Sequence, residues 1–236
     1  EPWVFGEEAT NIVRRYLKLR YQLFPYLYSL SHEASRTGLP VIRAMSLAFP
    51  QDINTYDKDL QFMLGPSLLV APIYDDGDSR TVYLPEGQWI DYWTRQTHTG
   101  PTQLTVHAPL DTLPLFVRAG AVIPMMQPAS RIPDGLIDNL IIDIFLHHHM
   151  AYNLEEDEGL TRFSGVSDSR TVYFGWQGGP QRTLNLRFNG LSAVASVTLQ
   201  SADGSTRLLD SWRLDQNTLL LSGIREPNAR LIIRLA

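Results

Sequence analysis

The 236-residue chain contains no cysteine, which excludes disulfides and thiolate metal sites and leaves the compartment undecided. No apolar run approaches the ~20 residues of a membrane-spanning helix, so no membrane partner is implied. Charge is sparse too: Asp, Glu, Lys and Arg make up 19%, against ~25% in an average globular chain. The formal net charge is −5 and no basic block occurs, so the electrostatic footprint of a nucleic-acid partner is missing. What is present is core material. Hydrophobic residues account for 44% and aromatics for 10%, enough for one large domain or two small ones. Sixteen Gly and fifteen Pro punctuate this material with turns.

The first residues, Glu1-Pro2-Trp3-Val4-Phe5-Gly6, run into a long amphipathic segment over 7–37. Acids at Glu7 and Glu8 suit a helix N-terminus. Val13, Tyr16, Leu17, Leu23, Phe24, Leu27, Leu30 and Ala34 follow at helical spacing. Gly38 and Pro40 form a stop signal. Pro25 lies inside the pattern and predicts a kink or a split into two helices. The apolar face is wide for a surface helix, which leads us to expect the C-terminal part of a larger protein.

Beyond Leu39 the character changes to short runs of β-branched and aromatic residues. Strands are expected at 41–43, 67–71, 81–84, 89–93 and 104–106, with a Pro85-Glu86-Gly87 turn between the third and fourth. Residues 57–63 read as a helical turn or a strand entry. Residues 115–118 and 121–124, flanking Ala119-Gly120, read as a hairpin. The stretch 127–135 carries two Pro and one Gly and reads as a domain boundary. After it, 140–147, 171–176, 183–188, 193–199, 206–209, 218–221 and 229–235 are strand-like, which suggests a second antiparallel sandwich.

Five segments in this order resemble one family. They begin with Leu19-Arg20-Tyr21-Gln22-Leu23-Phe24-Pro25-Tyr26-Leu27-Tyr28-Ser29-Leu30 and Gly38-Leu39-Pro40-Val41-Ile42-Arg43-Ala44-Met45. Gln61-Phe62-Met63-Leu64-Gly65-Pro66-Ser67-Leu68-Leu69-Val70-Ala71-Pro72-Ile73 and Tyr83-Leu84-Pro85-Glu86-Gly87-Gln88-Trp89-Ile90-Asp91-Tyr92-Trp93 come next. Pro114-Leu115-Phe116-Val117-Arg118-Ala119-Gly120-Ala121-Val122-Ile123-Pro124 closes the series. Together they resemble the C-terminal third of glycoside hydrolase family 31, the α-glucosidase and α-xylosidase family. Asn153-Leu154-Glu155-Glu156-Asp157-Glu158-Gly159 is similar to the family's acidic turn, usually Tyr-Glu-Asp-Asp-Gly, but departs from it.

The resemblance implies a mainly β fold: the last helix or helices of a (β/α)8 barrel over 1–37, then two antiparallel β-sandwich domains, a proximal one over 38–126 and a distal one over 127–236. It implies the C-terminal part of a retaining α-glycosidase, closest to the α-glucosidase branch, that hydrolyses terminal non-reducing α-linked sugars without a cofactor. The family's two catalytic aspartates and its sugar-binding Arg-x-His segment belong upstream of Glu1. No catalytic residue is therefore carried onto this chain, no substrate-binding residue is assigned, and no metal is called for. The implied partners are an α-glycoside or oligosaccharide, reached through the barrel, and the N-terminal part of the same enzyme. A glucosyltransferase of the same family is one alternative. A stand-alone carbohydrate-binding sandwich is another, against which the barrel-like helix over 7–37 argues.

Several local features invite a site reading. Asp75/Asp76/Asp78 and Glu155/Glu156/Asp157/Glu158 could do acid/base work or hold calcium, but acids beside Gly without EF-hand spacing read as solvated turns. His147 and His149 would share a strand face, yet zinc needs a third ligand and none is marked; a strand end is favoured. Trp89, Tyr92 and Trp93 could stack sugars, but Trp89 and Trp93 on one strand face also suit a core. Tyr16, Tyr21, Tyr26 and Tyr28 are expected to pack the helix on barrel strands and the proximal sheet. Arg43 is expected to be buried with a carboxylate, Asp57 or Asp59.

Overall fold

The computed structural model describes residues 1–236. A 3-10 turn, Pro2–Phe5, leads into helix α1 (Gly6–Gln22), which breaks at Leu23 and resumes as α2 (Phe24–Thr37). Pro25 thus splits the segment. It occupies the first turn of α2, where its missing N–H forfeits no intrahelical bond. The two helices differ in burial: α1 buries none of its residues, whereas α2 buries Pro25, Tyr26, Ser29 and Leu30.

The chain packs as two units, residues 33–119 and residues 1–32 with 120–236. The smaller unit holds β1 (Ile42–Ala44), a one-turn helix α3 (Met45–Ala48), β2 (Phe62–Leu64), β3 (Leu68–Val70), β4 (Ser79–Asp91), β5 (Thr97–His107) and β6 (Leu115–Arg118). They form one antiparallel sheet in the order β1-β2-β3-β6-β4-β5. Met45, Met63, Leu69, Val82, Leu84, Trp89 and Phe116 fill its core.

Two readings of this region need correction. Pro85-Glu86-Gly87 does not turn the chain. β4 runs through it for 13 residues. Leu84 pairs with Thr102 and Gly87 with Gly100, so three steps on β4 oppose two on β5, and the surplus residue is taken up as a bulge. The reversal comes after Asp91, whose Oδ1 accepts the amides of Trp93 and Thr94 at 2.8 and 2.7 Å. Likewise 115–118 and 121–124 are not a hairpin. β6 is already bonded to β3 on one edge and β4 on the other, so no edge is left for the next strand. The chain enters another sheet at Gly120, where φ is 87° and an added Cβ would lie 2.5 Å from the His149 carbonyl oxygen.

The larger unit continues with β7 (Val122–Met126), β8 (Asn139–Phe145), β9 (His149–Glu156), β10 (Gly159–Ser167), β11 (Thr171–Gly178) and β12 (Thr183–Asn189). β13 (Ser196–Gln200), β14 (Thr206–Leu208), β15 (Trp212–Asp215), β16 (Thr218–Ile224) and β17 (Ala229–Arg234) complete it. One sheet has the order β14-β13-β17-β11-β10-β9 and the other β15-β16-β12-β8-β7. Their inner faces share one core, in which Phe174 of β11 meets Phe188 of β12 edge-on at 5.4 Å, a favoured aromatic geometry. The pairing is antiparallel except between β8 and β12. Between those two strands the chain builds β9 to β11 in the facing sheet and returns in its original direction. Residues 127–135 form an exposed irregular loop linking β7 to β8, which pair with each other.

Candidate functional site

Helix α2 lies on the β9–β10 hairpin. Tyr26 is fully buried, its ring 5.6 Å from that of Tyr152. Ser29 Oγ donates to the Asn153 carbonyl at 3.2 Å and accepts the Glu155 amide at 2.9 Å. Tyr28 Oη donates to Asp157 Oδ2 at 2.8 Å, and His32, one turn on, brings Nε2 to 3.6 Å from Asp157 Oδ1. The hydrogen bond to Asp157 holds the Tyr28 phenol above its usual pKa, because losing its proton would set two anions side by side. Tyr26 and Tyr28 therefore pack on β9 and its turn, not on the proximal sheet as the sequence suggests.

The acidic turn divides. Asp157 and Glu158 form the exposed reversal, but Glu156 is not solvated. Its side chain is 6% exposed and pairs with Arg182, itself 3% exposed. Arg182 donates Nη1 to Oε1 at 3.1 Å and Nη2 to Oε2 at 2.5 Å, the bidentate fork that burial of such a pair demands. Asp75, Asp76 and Asp78 do form an exposed turn, in which Asp75 Oδ1 accepts the Gly77 amide at 3.0 Å.

Within the run 147–149, only His149 lies on a strand, while His147 and His148 belong to the connection from β8. His147 and His149 therefore do not share a strand face, because β8 ends at Phe145. The His148 ring contacts the Ser167 carbonyl through Nδ1 at 2.9 Å. No group of three or more His, Asp or Glu gathers in a form that could hold a metal ion.

Trp89 is wholly buried and donates Nε1 to the Pro85 carbonyl at 2.8 Å. It is core. Trp93 does not share its face, since β4 ends at Asp91; in the turn it donates Nε1 to the Leu113 carbonyl at 2.7 Å. Arg43 is buried with a carboxylate, but the partner is Glu33 at 2.6 Å. Asp57 pairs with its neighbour Lys58 instead. Helix periodicity puts Glu33 within reach across the Gly38 stop, and sequence proximity was the wrong guide. In the same unit, Tyr83 donates to Asp52 Oδ2 at 2.6 Å. That bond, aided by Asn54, holds the Asp52 carboxyl below its ordinary pKa against the opposing effect of burial.

None of these carboxylates stands in a cleft with a free partner acid. A concavity lies elsewhere: an open groove of about 1180 Å³ on the outer face of the β9-containing sheet, whose lining includes Asn153, Arg162, Tyr173, Gln177, Gln200 and Arg230. The sequence reading missed it, because β9 and β10 carry Asn, Gly, Ser and Arg at outward positions and show little strand propensity. The available signal was alternation about Met150, Tyr152 and Leu154.

Residues 38–123 match the glycosyl hydrolase family 31 C-terminal domain, and residues 1–30 match the TIM-barrel domain of the same family. The chain belongs to glycoside hydrolase family 31. It is 37% identical over 166 residues to alpha-glucosidase 2 of Bacillus thermoamyloliquefaciens, covering 68% of this chain and 21% of that protein. It is 40% identical over 126 residues to an isomaltosyltransferase of Sporosarcina globispora, covering 53% and 12% respectively. In structure it resembles a family 31 dextranase of Flavobacterium johnsoniae, solved with glucose, at a TM-score of 0.89 and 29% identity, covering 99% of this chain and 34% of that one. The chain thus spans about a fifth of the length of the first curated relative and less of the second. The mainly β fold, with the end of a barrel domain ahead of it, is that of the family's C-terminal region.

Proposed function

We propose that this chain is the C-terminal scaffold of a retaining α-glycosidase that removes terminal non-reducing α-linked glucose. The observation that carries the reading is the paired match, barrel sequence over 1–30 and then the family's C-terminal domain over 38–123; 37% identity to an α-glucosidase over 166 residues supports it. On this reading residues 1–37 close the barrel, the proximal domain follows as far as Ala119, and the distal domain begins at Gly120, ahead of the 127 boundary that the sequence suggests, because β7 pairs with β8.

Retention of configuration needs two carboxyl groups ~5–5.5 Å apart, one to attack the anomeric carbon and one to protonate the leaving oxygen. The acids of this chain suit neither role. Glu156 is neutralised by Arg182, Asp157 holds Tyr28, and Asp75, Asp76 and Asp78 sit in an exposed turn. The acid pair is supplied by sequence outside the chain, and the contribution of this segment is to support it. The purified chain should leave a chromogenic α-glucoside uncleaved while the full-length protein cleaves it; turnover by the chain near the parent rate overturns the reading. The 40% identity to an isomaltosyltransferase favours a second reading, transfer of the glycosyl group to a sugar acceptor. Product analysis with and without added acceptor separates the two.

A further inference from the structure

The groove on the β14-β13-β17-β11-β10-β9 sheet is built by register. Ala151, Ser164, Gly175, Arg230 and Gln200 pair in succession across five strands. The first three are small and make a trough. Two residues along on one side stand Asn153, Arg162 and Gln177, and on the other His149, Val166 and Tyr173. The floor crosses four strand spacings of ~4.8 Å, roughly 19 Å in all, so it fits an extended chain rather than a single small molecule. At Gly175 an added Cβ would stand 3.1 Å from the Ala229 carbonyl oxygen, so the trough is low where backbone itself forms it.

The chemistry of the lining selects the occupant. No Asp or Glu lines the groove. Arg182, Arg187, Arg207 and Arg225 of the same unit each hold a carboxylate, whereas Arg162 and Arg230 face the groove with none. Four amides, Asn153, Gln177, Gln200 and Asn228, also line it. An anion offers only acceptors and would leave the oxygens of Asn153, Gln177 and Gln200 idle; Asn228 Oδ1 already accepts the Gly178 amide at 2.6 Å. Hydroxyl groups both donate and accept, and use amide and guanidinium alike. Tyr173 is 38% exposed beside the trough, a ring able to stack on the apolar face of a sugar. Apart from Tyr173 and Val166 the banks lack the large apolar anchors that mark the centre of a protein interface.

We propose that this groove is a carbohydrate-binding site, one that holds a neutral oligosaccharide chain by Tyr173, Arg162, Gln177 and Arg230 without cleaving it. The choice of α-glucan as probe rests on the function proposed above; the groove itself does not require the parent protein to be a hydrolase.

The test uses the full-length protein run through native gels containing dextran or soluble starch, together with calorimetric titration of six-unit isomalto- and malto-oligosaccharides while the active site is saturated with a monosaccharide inhibitor. Two variants, Tyr173→Ala and the double Arg162→Ala/Gln177→Ala, alter outward side chains and leave the core intact. The expected result is retardation of the parent protein, weakened at least tenfold in both variants, with unchanged thermal midpoint and unchanged turnover of a small chromogenic α-glucoside. If the full-length protein turns over no α-glucoside but is still retarded through Tyr173, the groove stands and the hydrolase reading falls. No retardation of the parent, variants retarded as strongly as the parent, binding confined to sulfated glycans, or variants that instead dissociate a dimer or lower the thermal midpoint would each overturn the proposal.

Discussion

Replacing Glu156 with Ala should be among the most damaging single changes in the larger unit, and its size follows from what would be left behind. Arg182 is 3% exposed. Its guanidinium has Glu156 as its only carboxylate, a long 3.5 Å contact to the Ile137 carbonyl, and an Nε with no partner. Removing Glu156 strands a buried cation, which costs about 3–5 kcal/mol. For a unit of this size each kcal/mol moves the midpoint by ~2–4 °C, so the shift should reach about 6–20 °C. The pair is also shielded from solvent, so the loss should hardly depend on salt between 0.05 and ~0.5 M. The contrasting variant is Glu156→Leu with Arg182→Met. It removes both charges and keeps the volume, and such replacements are often neutral or stabilising. Urea and thermal unfolding of parent, single and double variants, followed by tryptophan fluorescence, complete a cycle. If Glu156→Ala costs less than about 1 kcal/mol, or if the double variant is worse than the single one, then the buried-cation argument is wrong.

Two further outcomes are expected. Helix α1 leaves Val13 and Leu17 38% and 52% exposed, beside Trp3, Val4 and Phe5 at 65%, 72% and 79%; covering side chains of this kind fully is worth about 1.5–3 kcal/mol each. The chain by itself should therefore self-associate, and Val13→Lys with Leu17→Lys should suppress this in light scattering; a stable monomer of the unaltered chain would refute it. Asp52 has its folded-state pKa lowered, chiefly by the Tyr83 hydrogen bond, so its contribution to stability is complete above the unfolded carboxylate value and fades as pH falls through the folded one. Tyr83→Phe should accordingly be less stable than the parent at pH 7, with the gap closing below about pH 4; a gap that stays constant down to pH 2 would remove Asp52 from the account.

What the sequence determined by itself were the features written in consecutive residues. Helical spacing over 7–37, acids in its first turn and Gly38 with Pro40 at its end marked the helices, and Pro25 marked their division, because propensity, dipole and a missing N–H act within one or two turns of chain. Short runs rich in aliphatic, β-branched and aromatic residues marked strands such as β3, β8, β12 and β17, and the ordered segments from Leu19 to Pro124 carried the family. The tertiary structure decided which strand edges were still free. That made Pro85-Glu86-Gly87 a bulge instead of a turn, and sent the chain at Gly120 to a new sheet because β6 had no unpaired edge. It decided which acids lost their water: Glu156 is buried on Arg182 while its neighbour Asp157 stays in solvent, and Arg43 found Glu33 across a helix stop. It also assembled the groove from Asn153, Arg162, Tyr173 and Arg230, residues that only register brings together. A hydrogen-bonded ladder couples residues far apart in sequence, and the free energy of a charge depends on what surrounds it, so neither quantity is a property of any stretch of sequence read alone.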